Sequence, residues 1–246
     1  MSFPVEIQIL FCDPWLLVVD KPAGLSTLPD GYNPTLPHIK SRLESQFGHL
    51  FIVHRLDKET SGVLLLARTA EAHRTLNTQF EHHQVVKVYH ALVIGSLDWK
   101  EVTIDLRLRP NGDRHHRTVI DPRGGKPAVT HMKVLERLGS YSFIEAVPET
   151  GRTHQIRAHL SSMGLSIVGD RLYTRKDARD SLMKNTSSLS QAGLDLFQAV
   201  GMALHARSLE ITHPSTHAWM RFVAPYPGWL LTMLKQLGST IDRSMG

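Results

Sequence analysis

Two spacings of apolar residues recur along the chain, and each predicts a different kind of element. Alternating positions and short apolar runs predict strands, whereas three- and four-residue steps predict helices. The predicted strands cover residues 5–11, 15–20, 51–55, 63–67, 85–95, 128–135, 141–148 and 203–212. Because the strands outnumber the helices and most successive strands are joined by short turns, the pattern predicts an α+β fold built on a mixed, largely antiparallel sheet.

Helical spacing occurs in four places. One short helix is predicted from Leu36, Ile39, Leu43 and Phe47. A second is predicted to be capped by Thr69 and a third by Thr153, because a threonine hydroxyl can accept a hydrogen bond from the first turn. Residues 229–237 predict a closing helix. The sequence shows no internal repeat and no linker, so residues 1–246 are predicted to form a single domain.

Composition narrows the class of protein. Hydrophobic residues make up 41% of the chain, enough for a buried core, and no apolar run approaches the roughly 20 residues of a membrane helix. The first ten residues do not resemble a secretory signal. The single cysteine, Cys12, can form neither an internal disulfide nor a thiolate metal site. We therefore expect a cytoplasmic protein with no membrane partner.

Positive charge is concentrated in two segments. The formal net charge is +5; residues 107–126 contain six basic and two acidic residues, and residues 151–176 contain five and one. The rest of the chain is slightly acidic. Two basic segments on such a body are typical of a surface that binds RNA or DNA, with a pair of solvated loops as the alternative. The glycines and prolines of 107–126 predict a basic loop or hairpin tip, and residues 181–193 predict a polar insertion.

The most unusual segment is the polar loop between the strands predicted at 51–55 and 63–67. A turn there needs only a few residues, yet Asp57 lies in a longer polar stretch between the cations Arg55 and Lys58. These cations would keep the carboxylate ionised at neutral pH, and an ionised carboxylate can act as a base or a nucleophile. A solvated loop with local hydrogen bonds is the other interpretation.

Two further segments carry candidate chemistry. Arg152, His154 and Arg157 lie near the start of the third predicted helix, where they could bind a phosphate or hold a carboxylate such as Asp57. Tyr89, on the strand at 85–95, could stack on a base and move a proton. An exposed amphipathic helix and an ordinary packing aromatic are the respective alternatives.

Taken together, these segments resemble the RluA-type family of pseudouridine synthases. The matching motifs are Lys21-Pro22-Ala23-Gly24, His54-Arg55-Leu56-Asp57 with Thr60-Ser61-Gly62, Lys87-Val88-Tyr89, Gly151-Arg152-Thr153-His154-Gln155-Ile156-Arg157 with Gly169-Asp170, Leu204-His205-Ala206 and His213-Pro214. They run from about residue 11 to residue 214 in the family's order. The resemblance implies the pseudouridine synthase fold with a central RNA-binding cleft, in a compact form, since only about ten residues precede the first matched strand.

The resemblance also implies roles for individual residues. Asp57 would be the catalytic aspartate, Tyr89 the residue beneath the target uracil and the base for its C5 proton, and Arg157 the partner of the Asp57 carboxylate. Arg55 would fill the gap left by the flipped nucleotide. With the residues of the basic segments, the candidate RNA-binding set is His54, Arg55, Arg107, Arg114, Arg117, Arg152 and His154. The expected activity is isomerisation of specific uridines in ribosomal RNA, transfer RNA or both, without a cofactor, by a monomer.

Two other functions fit part of the pattern. A glycoside hydrolase also uses a carboxylate at C1′, with Glu59 as a possible second carboxylate. A non-catalytic RNA-binding module would use the basic segments but has no need for Asp57, whose charge repels phosphate. Although the chain has fifteen histidines, their spacing does not match a helix-borne zinc pair, so no metal is expected.

Overall fold

A computed structural model describes residues 6–29, 31, 33–174 and 201–241. The described residues fall into two compact units. The first contains the chain up to Lys87 together with His205–Pro225, and the second contains Val88–Leu204 and the chain from Tyr226. The single-domain organisation and the central cleft stay predictions, and the polar insertion at 181–193 lies outside the described residues.

The first unit is a sheet with two helices. Its elements are β1 (Gln8–Cys12), β2 (Leu16–Lys21), α1 (Ile39–Phe47), β3 (Phe51–Ile52), β4 (Ser61–Ala67), α2 (Ala70–Glu81), most of β12 (Leu204–Thr212) and β13 (Trp219–Val223). The strand order is β1-β2-β4-β12, with β3 added to β4 and β13 to β12. Only the β4–β12 pairing is parallel among those described in this unit; it aligns Ser61 with His205 and Gly62 with Ala206.

The buried face of the first unit explains its two central strands. All seven residues of β4 are buried, as are the apolar residues of β2. Leu76 and Ala72 of α2 cover this face. The hydroxyl of Thr69 accepts a hydrogen bond from the Ala72 amide at 3.1 Å, which confirms the predicted cap. The first predicted helix starts later than the pattern indicated, because Leu36 is 42% exposed and lies before α1.

The second unit is an antiparallel sheet closed by a C-terminal helix. Its elements are β5 (Val86–Ile94), β6 (Glu101–Asp105), β7 (Leu108–Arg109), β8 (Val119–Ile120), β9 (Val129–Leu138), β10 (Tyr141–Pro148), α3 (Gln155–Ser162), β11 (Ser166–Ile167) and α4 (Gly228–Gln236). The strand order is β5-β10-β9-β6, with β11 on the edge of β5 and a separate β7–β8 hairpin. Strands β6, β11 and β13 had not been predicted from the pattern.

A large apolar cluster fills the second unit. Phe143 and Leu92 on the sheet, Leu160 of α3 and Leu230 of α4 are all fully buried within it. The faces of β5 differ from the predicted alternation, because Ala91, Leu92 and Val93 are all buried while Val86 is 42% exposed. The fold is therefore a mixed α+β structure with largely antiparallel strands, which confirms the predicted fold class.

Candidate active site

Asp57 lies on the loop between β3 and β4, which covers residues 53–60. The loop closes with a turn in which the Thr60 amide donates a hydrogen bond to the Asp57 carbonyl at 3.1 Å. Asp57 is half-buried, and its neighbours Arg55, Lys58 and Glu59 are exposed. The loop therefore presents a carboxylate from a defined backbone position, with cations in the sequence on either side of it.

A buried lysine fixes this loop from below. Lys21 is fully buried, and its ammonium donates hydrogen bonds to the carbonyls of Pro22 at 2.9 Å, Leu25 at 2.8 Å and Lys58 at 3.1 Å. The Gly24 amide donates to the same Lys58 carbonyl at 2.8 Å. The segment that follows β2 is thereby tied to the turn that carries Asp57.

Thr27 adds a second connection on the other side of Asp57. Its hydroxyl donates to the Leu56 carbonyl at 3.1 Å and accepts from the Leu56 amide at 3.3 Å. The backbone is thus held at both neighbours of Asp57, at Leu56 and at Lys58. The position of the Asp57 backbone is therefore restricted on both sides.

Two charged residues beneath the Asp57 loop, Lys21 and Asp20, shift each other's pKa. Burial lowers the pKa of Lys21 to about 7, while the carboxylates of Glu59, Asp57 and Asp20 act in the opposite direction. Burial raises the pKa of Asp20 to about 6, opposed by the positive charge of Lys21. Three carbonyl acceptors around one amine nitrogen favour the protonated form of Lys21. Sequence reasoning had matched Lys21 to a motif without giving it a role; a lysine directly after a continuous apolar strand was the available signal.

The start of β4 is fixed against β12. Gly62 has φ +111°, and a Cβ there would lie 2.2 Å from the Ala206 carbonyl oxygen, so only glycine fits. The adjacent Ser61 hydroxyl lies 2.9 Å from Nδ1 of His205, and both residues are buried. These contacts give the Thr60-Ser61-Gly62 and Leu204-His205-Ala206 motifs a structural purpose, since they set where the loop enters the sheet.

His54 supports the loop from its other end. Its Nε2 accepts a hydrogen bond from the Leu65 amide at 2.9 Å, and its ring stacks on Phe80 with centroids 5.0 Å apart. Burial, with a smaller contribution from Lys87, lowers the pKa of His54 to about 3. The ring is therefore neutral at physiological pH, and its Nε2 is engaged with the backbone of β4; the RNA contact expected of His54 stays a prediction. Arg55, in contrast, is exposed.

Tyr89 lies on β5, where it pairs with Ala146 of β10. It is half-buried and packs against the apolar cluster of the second unit. The next residue, His90, is buried, and its Nδ1 lies 2.6 Å from the hydroxyl of Tyr226. Firm packing around β5 gives Tyr89 a fixed backbone position, while its expected role as a base stays a prediction.

Arg157 is buried on α3 and has a carboxylate partner within its own unit. Its Nε and Nη2 donate to Asp170 Oδ2 at 2.8 Å and Oδ1 at 2.9 Å. Sequence reasoning had implied Asp57 as the carboxylate partner and had missed this bidentate pair. The available signal was that Asp170 is the only acidic residue in the basic segment 151–176.

The start of α3 differs from the predicted cap. The helix begins at Gln155, and the residue at its N-cap is His154, in the left-handed conformation with φ +54° and without a side-chain capping bond. Thr153 instead accepts, through its carbonyl, a hydrogen bond from the Thr118 hydroxyl at 2.8 Å. Arg152 donates from Nε to the Pro127 carbonyl at 3.0 Å. The anion site expected at this helix start therefore has Arg152 and His154 already engaged in protein contacts.

The basic segment 107–126 contains the short β7–β8 hairpin, and its arginines fall into two groups. Arg109 pairs with Asp121 and Arg117 with Asp113, each at 2.6 Å. Exposed basic side chains outside these two pairs are Arg107, Arg114, Arg123 and Lys126. The two acidic residues of the segment thus hold the hairpin together, and the exposed cations are available to a polyanion.

No cluster of three or more metal-binding side chains occurs within the described residues. In that same part of the chain, no helix is long and apolar enough to cross a bilayer. The candidate residues are Asp57 on its fixed loop in the first unit, Tyr89 and Arg157 on ordered elements of the second unit, and the exposed cations of the β7–β8 hairpin. A carboxylate on a fixed loop and an exposed cationic hairpin are the features that the sequence led us to expect of an enzyme acting on a polyanion.

The comparisons with known proteins are specific about the family. Residues 15–162 match the family model described as RNA pseudouridylate synthase. The chain is 38% identical over 243 residues to ribosomal large subunit pseudouridine synthase D of Pseudomonas aeruginosa, covering 94% of this chain and 73% of that protein. It is 35% identical over 251 residues to the protein of the same name from Neisseria meningitidis, covering 98% of this chain and 64% of that one.

Solved structures agree with this match. Human RNA Pseudouridylate Synthase Domain Containing 1 superposes with a TM-score of 0.73 at 27% identity, over 96% of this chain and 90% of that one. Human RNA Pseudouridylate Synthase Domain Containing 4 gives 0.72 at 27% identity, over 94% and 93%. The chain belongs to the RNA pseudouridylate synthase family, which confirms the resemblance seen in its motifs.

Proposed function

We propose that this protein isomerises uridine to pseudouridine in ribosomal RNA, with Asp57 as the catalytic carboxylate. The observation that carries the assignment is the way the Asp57 loop is held. Hydrogen bonds from Lys21, Gly24 and Thr27 fix its backbone, while Asp57 itself stays partly accessible. A solvated loop would need no buried lysine beneath it, since burying an ammonium costs free energy that only a required geometry justifies.

The reaction breaks the N1–C1′ bond, turns the uracil and joins C5 to C1′. One carboxylate can serve either by adding to C1′ as the uracil leaves or by removing a sugar proton to give a glycal. The C5 proton must then leave and N1 must gain one, so the reaction consumes no redox equivalent. Tyr89 is proposed as the base for the C5 proton, and Arg157 as a further catalytic residue.

The exposed arginines of the basic hairpin are proposed to contact RNA phosphates. Arg107 and Arg114 are exposed, whereas Arg117 has an acidic partner four residues away. Arg114→Gln should therefore flatten the dependence of log affinity on log salt by about 0.7 to 0.9, the value for one lost phosphate contact. Arg117→Gln should flatten it less, because Asp113 already competes with phosphate. Equal slopes for both variants and wild type would remove the hairpin from the RNA interface.

The proposed substrate is a uridine in a hairpin loop. Loop nucleotides are partly unstacked, which lowers the cost of flipping the target base out of the stack. Relatives named for the large ribosomal subunit favour ribosomal RNA over transfer RNA. The test requires the target uridine to be mapped first. Purified protein is then given a synthetic RNA hairpin of about twenty nucleotides that contains this uridine, beside full-length RNA and a transfer RNA anticodon arm. An inert hairpin beside modified full-length RNA would mean that recognition extends over a larger surface.

The decisive experiment for the carboxylate compares two neighbouring residues. Asp57→Asn should leave less than roughly 1% of the tritium release from 5-tritiated uridine RNA, with RNA affinity within about tenfold, because the charge is lost with little change in volume. Glu59→Gln makes the same chemical change two residues away, at an exposed position, and should leave most of the activity. Retained activity in Asp57→Asn would refute the assignment. A comparable loss in Glu59→Gln would favour the two-carboxylate chemistry of a glycoside hydrolase.

We also propose that the protein acts as a monomer in the cytoplasm. Sedimentation of the purified chain at catalytic concentrations tests the first point, since activity confined to a dimer would contradict it.

A further inference from the structure

Tyr173 lies where three parts of the second unit meet, and it is 5% exposed. Its hydroxyl accepts a hydrogen bond from the Thr118 amide at 2.7 Å and donates to the Thr118 carbonyl at 3.2 Å. His154 Nδ1 lies 3.1 Å from the same oxygen. One phenol oxygen therefore joins the loop of the basic hairpin, at its Thr118 end, to the start of α3.

The ring of Tyr173 contacts the proposed catalytic arginine. The guanidinium carbon of Arg157 lies 4.9 Å from the ring centroid, a cation–π distance. The Asp170 carboxylate that binds Arg157 also accepts hydrogen bonds from the backbone amides of Leu172 at 2.9 Å and Tyr173 at 3.1 Å. The turn that follows Gly169 thus holds the guanidinium through a carboxylate and through an aromatic face.

A second connection runs parallel to the first. The Thr118 hydroxyl donates to the Thr153 carbonyl, and the next residue, His154, has the left-handed φ of +54°. A residue with a side chain keeps this conformation only where its surroundings impose it, and such positions concentrate at functional sites. The Thr118 end of the hairpin loop and the start of α3 are therefore one connected arrangement, and Arg157 lies one turn into that helix.

We propose that Tyr173 is a positioning residue that couples the basic hairpin to Arg157, so that RNA bound by the hairpin also sets the arginine for catalysis. The inference rests on the proposed function and adds a regulatory contact to it. If the hairpin and Arg157 were not coupled, the hairpin would contribute to RNA affinity alone. If they are coupled, a hairpin contact to RNA also affects the reaction rate at saturating RNA, because the hairpin and Arg157 change together.

The test is a double-mutant cycle on the single-turnover rate at saturating RNA, with RNA affinity measured separately. In the wild-type background, Arg114→Gln should weaken binding and also lower the saturated rate, by about fivefold. In the Tyr173→Phe background, which keeps the ring and loses the hydroxyl, Arg114→Gln should still weaken binding but should change the saturated rate by less than about twofold.

Tyr226→Phe is the matched control. Tyr226 is also buried in the second unit, and its hydroxyl lies 2.6 Å from Nδ1 of His90 on β5. Arg114→Gln should lower the saturated rate in this background as much as in wild type. If Tyr173→Phe is unfolded by thermal melting, Thr118→Val cuts the parallel connection to Thr153 and replaces it in the cycle.

Three results would overturn the coupling. They are an equal Arg114→Gln effect in the Tyr173→Phe and Tyr226→Phe backgrounds, an unchanged saturated rate for Arg114→Gln in wild type, and no effect of Arg114→Gln on binding. The failure of the proposed function is distinguishable from all three, because it would appear as activity in Asp57→Asn, whatever the cycle shows.

Discussion

Replacing Lys21 with methionine tests whether the Asp57 loop depends on the buried ammonium. Methionine is of similar length and apolar, so it fills the site while removing the donor. The Lys58 carbonyl keeps its hydrogen bond from Gly24, but the carbonyls of Pro22 and Leu25 lose the one from Lys21. Each buried acceptor deprived of its donor costs about 1–3 kcal/mol, and the desolvation of the ammonium is recovered. We expect the free energy of unfolding to fall by about 2–4 kcal/mol.

The effect on turnover should be larger than this loss suggests. A displacement of about 1 Å in a catalytic group can reduce the rate about 10²-fold, and the Lys58 carbonyl is adjacent to Asp57. Lys21→Met should therefore lower the single-turnover rate by that order while RNA affinity changes little. The assays are chemical denaturation and tritium release at saturating RNA. Lys58→Met is the stability control, because it makes the same substitution at an exposed side chain in the same loop and should stay within about 0.5 kcal/mol of wild type.

The pH dependence gives a second, independent check. The pKa of Lys21 falls from 10.5 to about 7 on folding, so between these values the unfolded chain binds more protons than the folded one. Stability contributed at this site therefore rises with pH across that window, and Lys21→Met lacks the contribution. The stability difference between wild type and variant should be larger at pH 9 than at pH 7. A variant with wild-type stability, turnover and pH dependence would refute the role of Lys21 in holding the loop.

Tyr89→Phe keeps the ring and should bind RNA normally, with turnover reduced about 10²-fold if the hydroxyl transfers the C5 proton; wild-type turnover in a tritium-release assay would leave Tyr89 with packing alone. Gly62→Ala should destabilise the protein by more than about 3 kcal/mol in urea unfolding, because its Cβ would meet the Ala206 carbonyl at 2.2 Å, whereas Gly139→Ala, at φ +63° with nothing within 4 Å, should show only the backbone cost of about 1 kcal/mol. Equal losses of stability in Gly62→Ala and Gly139→Ala would mean that β4 and β12 are not in close contact at Gly62. His54 has a pKa of about 3 when folded against 6.5 ordinarily, so acidification from pH 6.5 to 3 protonates the unfolded chain first and removes stability. His54→Gln should lose less stability across that range than wild type, and His82→Gln, at an exposed position, should match wild type.

Much of the fold followed from local pattern. The buried strands at β2 and β4, the alternation of β9 and the Thr69 cap at α2 are determined by residues close together in sequence, and the structure confirms them. The short strands β6, β11 and β13 were missed because their own residues carry little periodicity, and their pairing partners supply the hydrogen bonds that define them.

The candidate site also has features that the sequence indicated and features that only the structure shows. The sequence by itself selected Asp57, because a charged loop between two apolar strands is visible locally, and its motifs indicated the family. Which side chains are engaged with which partners was decided by the tertiary structure. Lys21 is buried under the loop, Arg157 is bound by Asp170 thirteen residues away, and His54 accepts a hydrogen bond from the Leu65 amide.

The physical reason lies in the range of the interactions. Hydrophobic periodicity and helix caps act between residues a few positions apart, so a linear pattern records them. Ion pairs and buried hydrogen bonds depend on distance in space and on the loss of solvent, neither of which has a period in the sequence. For this protein the sequence predicted most of the elements and indicated the family. Only the folded chain determined which charged groups support the Asp57 loop and which remain exposed.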